Sequence, residues 1–97
     1  MIFTVYSKDG CSYCDKFKSI LQLEELKHVV YTLDQHFTKK QFYDEFGEGA
    51  TFPQIVMDGI QLGGCIDSLQ YMQDKEICCT VWLKLHMKNL KKTTKST

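Results

Sequence analysis

The 97 residues include one proline, Pro53, so a single X–Pro bond is open to the cis form or to a fixed tight bend. No apolar run approaches the ~20 residues that a membrane-spanning helix needs, and no membrane partner is expected. The opening residues enter a strand-like run directly. They lack the charged start, apolar middle and small-residue cleavage site of a secretion signal, and a cytoplasmic location is expected. Acidic residues are missing after Glu76. Up to that point the chain carries all 12 acids against seven lysines, a net −5, and the remainder carries five lysines, a net +5. A basic end can touch nucleic acid or an acidic partner, but it is more often a solvated terminus, and no nucleic-acid partner is expected. Residues 91–97 are only Lys, Thr and Ser, which reads as a disordered tail. Repeats, linkers and a second domain are absent, leaving one domain over residues 1–90 and the tail 91–97.

The composition, 43% hydrophobic and 25% charged, is ordinary for a soluble globule. Its five cysteines are Cys11, Cys14, Cys65, Cys78 and Cys79. An odd number without a secretion signal argues against a structural disulfide framework. A reducing compartment and one working pair fit better.

The hydrophobic pattern predicts alternating elements. Ile2–Tyr6 is short and β-rich, a strand. From Ser12 to about Leu26, Phe17, Ile20, Leu21, Leu23 and Leu26 recur at helical intervals. His28–Leu33 is a second strand. Thr38 is placed to cap a helix running to Phe46, with Gly47 as its stop. Pro53–Met57 and Ile60–Leu62 flank Asp58-Gly59, a strong hairpin signal. Gly63-Gly64 opens a last helical region from Cys65, with a break near Asp74–Glu76 and a resumption through Trp82, Leu85 and Leu90. The order is βαβαββα. A helix between the first two strands implies a right-handed crossover and parallel pairing, and the hairpin implies an antiparallel pair. An α/β fold with a four-stranded mixed sheet flanked by helices, the thioredoxin-like arrangement, is expected.

Cys11-Ser12-Tyr13-Cys14 lies at the join of the first strand and the first helix. Cysteines three apart at a first helical turn share a face and are close enough for a disulfide or a shared metal. The free N–H groups and positive dipole end of the helix stabilise a thiolate there, and such thiols have pKa values lowered to roughly 3.5–7.5. Cys11, nearest the helix end, is expected to be the more acidic and more exposed thiol, the nucleophile. Cys14, one turn inside, is expected to resolve a mixed disulfide. A zinc half-site is the alternative, and it needs two more ligands, for which Cys78-Cys79 and three histidines are the candidates.

Two further segments bear on the site. In Thr51-Phe52-Pro53, the proline either opens an ordinary strand or carries a cis bond that turns the preceding backbone groups outward for an added peptide strand. In Gly63-Gly64-Cys65-Ile66-Asp67, the glycines allow close approach to the backbone and the helix start offers N–H groups to a carboxylate. Asp67 can cap that helix or bind an ammonium group. Tyr13 is expected to stay exposed beside the thiols, and the other aromatics, with Met57 and Met72, to form core. Cys65 reads as a residue whose backbone is wanted and whose side chain is not a catalyst but can be oxidised or glutathionylated, and Cys78 and Cys79 read as small buried hydrophobes.

Together the segments resemble the glutaredoxin family. Cys11-Ser12-Tyr13-Cys14 is similar to its CPYC/CSYC site, Thr51-Phe52-Pro53 to its Thr-Val-cisPro segment and Gly63-Gly64-Cys65-x-Asp67 to its GG-x-x-D motif. Lys8 stands three residues before the first cysteine, as a lysine often does there. The match runs from Met1 to about Met72. The resemblance implies a disulfide oxidoreductase acting in electron transport and cell redox homeostasis through a Cys11/Cys14 redox-active pair. It would reduce protein disulfides and glutathione mixed disulfides, with glutathione as reductant. Glutathione would lie against Tyr13, the Thr51, Phe52 and Pro53 backbone, Gly64, the Cys65 N–H, Asp67 and Lys8. Asp67 would meet its amino group and Lys8 its glycyl carboxylate, and Lys39, Lys40 and Gln41 are loose candidates to help there. Ribonucleotide reductase is a family-level client.

Ser12 in place of proline and Phe52 in place of valine depart from the commoner pattern. In some relatives a CSYC-type site accompanies a glutathione-ligated 2Fe-2S cluster bridging two subunits. That implies an alternative, a cluster carrier or sensor with Cys11 as the metal ligand, dimeric where the plain oxidoreductase is monomeric. A redoxin served by thioredoxin reductase is a third reading, disfavoured by Lys8 and the Gly63-Gly64-x-x-Asp67 motif.

Overall fold

Burial alternates along the first strand, β1 (Phe3–Ser7): Phe3, Val5 and Ser7 are buried on one face, and Thr4 and Tyr6 are half-buried on the other. The structure, a computed structural model, describes residues 1–77. After β1 come α1 (Ser12–Leu23), β2 (His28–Thr32), α2 (Lys39–Phe46), β3 (Gln54–Met57), β4 (Ile60–Gly63) and α3 (Cys65–Asp74), in the expected βαβαββα order. The sheet order is β2-β1-β3-β4. β1 runs parallel to β2 and antiparallel to β3, and β3 turns back into β4. Asp58 and Gly59 both take positive φ (48° and 88°), the geometry that matches a two-residue turn to the twist of its strands.

The core lies between one face of the sheet and helices α1 and α3. Phe3, Val5 and Ile55 from the strands meet Phe17, Ile20 and Leu21 of α1 and Leu69 and Met72 of α3. The other face carries Tyr6 against Phe37 and Phe46, and Phe42 of α2 packs on Phe46. The expected aromatic core holds for Phe3, Phe17 and Phe42, whereas Tyr31 on the edge strand β2 is 38% exposed. Met72 is fully buried, and Met57 is half-buried against the core.

Helix ends account for two differences from expectation. The first helix stops at Leu23, three residues before Leu26. Glu25 takes φ 55°, and the Leu26 N–H donates to the Leu21 carbonyl at 2.9 Å, a turn that returns Leu26 to the core. Leu23, expected on the apolar face, is 81% exposed. At about 100° per residue it stands roughly 160° around the helix from Leu21. The end of α3 repeats the device: Glu76 has φ 57°, and the Ile77 N–H donates to the Met72 carbonyl at 2.7 Å. This is the break expected near Asp74–Glu76. The continuation through Trp82–Leu90, together with Cys78, Cys79 and the tail 91–97, lies outside the described residues.

Helix α2 begins as expected. The Thr38 hydroxyl accepts the Gln41 N–H at 3.1 Å and the Gln41 side-chain oxygen accepts the Thr38 N–H at 2.8 Å, a reciprocal cap. Gly47 ends it at φ 101°. Among the described residues no helix is long and apolar enough to cross a membrane.

Candidate active site

Cys11 is the N-cap of α1, in extended backbone geometry, and its sulfur accepts the Cys14 N–H at 3.1 Å. The two cysteines are joined as a disulfide, with Cα atoms 5.2 Å apart. Cys11 is 8% exposed and Cys14 is completely buried, the order expected for nucleophile and resolving thiol. The Cys14 N–H and the positive end of a twelve-residue helix both face the Cys11 sulfur, an arrangement that suits negative charge there. Tyr13 stays about half exposed, with the Lys16 ammonium 5.4 Å from its ring centre.

The Phe52–Pro53 bond is cis, the form the second of the two proline readings requires, and Pro53 is buried immediately before β3. Across from it, Gly64 caps α3 without any side-chain hydrogen bond to the helix end. Asp67, in the first turn, does not act as the cap. Among the described residues its carboxylate makes no hydrogen bond and no ion pair. Gly63 has φ 98°, and a Cβ there would stand 3.3 Å from the Asp67 side chain, so this position is suited to glycine on two counts.

These segments enclose a cleft of about 210 Å³. Tyr13 of the cysteine loop lines it. One wall is Thr51, Phe52 and Pro53, and the other is Gly64, Cys65, Ile66 and Asp67. Tyr13, Thr51, Phe52, Pro53, Gly64, Cys65 and Asp67, all anticipated for a bound glutathione, line this cleft, whereas the ammonium of Lys8 lies over the Phe52 ring, 5.3 Å from its centre. Ile66, 45% exposed, is a lining residue that the sequence reading passed over. Its signal was available: it occupies a variable position of the Gly-Gly-x-x-Asp pattern, at the start of the helix. The loose candidates in α2 are placed elsewhere. Lys40 pairs with Asp44 at 3.0 Å, Gln41 is engaged in the cap of its own helix, and neither these nor Lys39 lines the cleft.

A second cavity, of about 280 Å³, opens on the α2 face among Tyr6, Tyr31, His36, Phe37 and Phe46. It is larger, but no residue of the Cys11–Cys14 loop lines it, whereas Tyr13 of that loop lines the smaller cleft, although the two sulfurs themselves are not among its lining. There, Cys65 is not a second nucleophile. Burial pushes its thiol up to about 11, only partly opposed by the nearby Lys16 charge, and it stays protonated at neutral pH. Among the described residues no three His, Cys, Asp or Glu side chains gather where they could hold a metal ion, so the zinc reading of Cys11 and Cys14 finds no further ligands there. The arrangement provides a dithiol that cycles with a disulfide beside a cleft with one acidic wall.

The family model described as Glutaredoxin matches residues 3–60. Glutaredoxin 1 of Rickettsia typhi is 35% identical over 75 residues, covering 72% of this chain and 69% of that protein. Among solved structures, glutaredoxin 1 from Francisella tularensis, complexed with cacodylate, superposes with a TM-score of 0.65 at 25% identity, over 78% of this chain and 95% of the other. A buckwheat glutaredoxin in complex with glutathione shares the fold, with a TM-score of 0.66 at 23% identity, over 77% of this chain and 71% of the other.

Proposed function

The chain belongs to the glutaredoxin family, and from that premise we propose a thiol–disulfide oxidoreductase that is reduced by glutathione and acts on protein disulfides and glutathione mixed disulfides. One observation carries this reading. A single cleft gathers Tyr13 of the cysteine loop, the cis-proline loop and the first turn of α3, with Asp67 free of any partner among the described residues. A small peptide thiol has what these walls offer. Its ammonium group complements Asp67. A carboxylate complements the uncapped N–H groups of α3. Its extended backbone complements the loop at Phe52.

The chemistry follows from the placement of the two sulfurs. The Cys11 thiolate attacks a substrate disulfide, forming a mixed disulfide and releasing one substrate thiolate, which takes up a proton. Where the partner in that mixed disulfide is glutathione, a second glutathione thiolate attacks its glutathione sulfur, yielding oxidised glutathione and the Cys11 thiolate. Where the partner is a protein, Cys14 loses its proton and attacks the Cys11 sulfur. The protein leaves as a dithiol and the Cys11–Cys14 disulfide remains. Two glutathione molecules then reduce it, becoming one molecule of oxidised glutathione. Ribonucleotide reductase, the client that the family resemblance suggests, belongs to the proposed client class, and a reducing cytoplasm is the compartment that supplies the thiol.

The test is glutathione-coupled reduction of a glutathionylated peptide, followed by NADPH consumption through glutathione reductase. Turnover that saturates with glutathione is expected. Turnover supported by thioredoxin reductase but not by glutathione would overturn the proposal. The cluster-carrier alternative would use the same Cys11 sulfur, with Ser12, exposed and without a proline ring, leaving the first turn free to adjust. A visible absorption band and a dimer in protein purified without oxygen would support that alternative.

A further inference from the structure

We propose that Phe52 is a positioning residue: its ring seats the Lys8 ammonium at the wall of the cleft, where it receives a carboxylate of the bound thiol. This rests on the glutathione reading above and adds to it the means by which one charged contact is set.

Phe52 sits in the cleft wall immediately before the cis proline, and its ring is not free to turn. It stacks on Phe42 with centres 4.0 Å apart and planes 9° apart. Phe42 is itself 1% exposed and is held by Phe37, Tyr43 and Phe46. The helix carrying Phe42 is fixed at its start by the reciprocal Thr38–Gln41 cap. A rigid aromatic column therefore runs from α2 to the cleft and ends at Phe52.

Lys8 is exposed in the short loop before Cys11, and among the described residues no carboxylate pairs with it. Its ammonium lies over the Phe52 ring at 5.3 Å. The negative face of an aromatic ring attracts a cation without neutralising it. A salt bridge in its place would use the charge; the ring holds it in position and leaves it available to an incoming anion. The four-carbon stem of lysine is otherwise free to sample many rotamers. An aliphatic side chain at this position would keep the wall apolar but provide no seat. With Asp67 on the opposite wall, the cleft presents one charge of each sign to a zwitterionic peptide.

The experiment compares glutathione with glutathione amidated at its glycyl carboxylate, as the ratio of the two kcat/KM values, in the native protein and in Lys8→Ala, Phe52→Leu and Phe52→Tyr. The native protein is expected to favour glutathione, and Lys8→Ala to bring the ratio close to one. Phe52→Leu is expected to lower the ratio about two- to fivefold, through KM and not kcat, and Phe52→Tyr to retain it. A native ratio in Phe52→Leu alongside a lost one in Lys8→Ala would overturn the role of Phe52 and leave the glutathione reading standing. So would a ratio lost in Phe52→Tyr as well. An unchanged ratio in Lys8→Ala would instead remove the carboxylate contact itself, and the proposal with it. If Phe52→Leu does not fold, NMR of the native protein decides. Lys8 ε-methylene protons shifted upfield by the ring are expected, and random-coil shifts would overturn the seat.

Discussion

The Cys14 N–H donates to the Cys11 sulfur at 3.1 Å, so the residue that caps the helix is also the residue whose charge the helix end favours. Most N-caps present an oxygen at this point. Here the capping atom is the reacting atom, and its partner sulfur belongs to the same turn.

That relationship assigns unequal roles. Cys11→Ser is expected to abolish turnover on every substrate, because serine gives no comparable anion at neutral pH. Cys14→Ser removes only the resolving thiol, which is completely buried, and is expected to retain part of the activity on glutathionylated peptides while losing protein disulfide reduction. Kinetics on the two substrate classes check this; an active Cys11→Ser with a dead Cys14→Ser would reverse the assignment.

Asp67 tests the acidic wall. Its carboxylate has no partner among the described residues, so Asp67→Asn is expected to leave the unfolding midpoint close to native, apart from the few tenths of a kcal/mol that a first-turn acid contributes at a helix N-terminus. Its effect should fall on glutathione. Loss of a charge-assisted contact of about 1.5 kcal/mol raises the apparent KM roughly tenfold. Urea titration beside steady-state kinetics separates the two, and an unchanged KM would take the ammonium contact away from this wall.

What was legible in the sequence was local. Cys11 and Cys14 at a strand–helix join, Thr38 and Gly47 at the ends of α2, and Asp58-Gly59 between two strands each act through neighbours a few residues away. The central antiparallel pairing of β1 with β3 joins residues about fifty positions apart and leaves no mark in either strand's own pattern. The Lys8–Phe52 contact is hidden for the same reason, since it depends on the aromatic column behind Phe52. Leu23 misled because a helical interval from Ile20 places it at the margin of the apolar face, and the turn at Glu25 makes Leu26 the residue that reaches the core.

The two leucines of that helix offer a direct comparison. Leu21 is completely buried in the core, and Leu21→Ala is expected to destabilise by about 2–5 kcal/mol. Leu23, 81% exposed, is expected to tolerate Leu23→Lys within about 0.5 kcal/mol. Chemical denaturation of the two variants measures both. A costly Leu23→Lys would mean that this side of α1 is covered by something beyond residues 1–77.

Cys65 makes the domain sensitive to alkali. Its thiol lies at about 11 in the folded protein, raised by burial from an ordinary value of about 9. Below pH 9 both folded and unfolded chains carry the proton and the group contributes nothing to the pH dependence. Between about 9 and 11 the unfolded chain ionises while the folded one holds its proton, so stability falls as pH rises through that window. The Tyr6 phenol is also raised, by burial first and then by Tyr31 and Glu45, so the native curve alone does not isolate the thiol. Cys65→Ala supplies the reference: its melting temperature should fall less steeply from pH 9 to 11, although it starts lower for the loss of a buried side chain. Alkylation reads the same group in the reduced native protein. Iodoacetamide at pH 7.5 is expected to modify Cys11 well before Cys65, and the Cys65 rate should climb as pH approaches 11. Parallel stability slopes in the two proteins, or early modification of Cys65 at neutral pH, would show that this thiol is not held protonated by its surroundings.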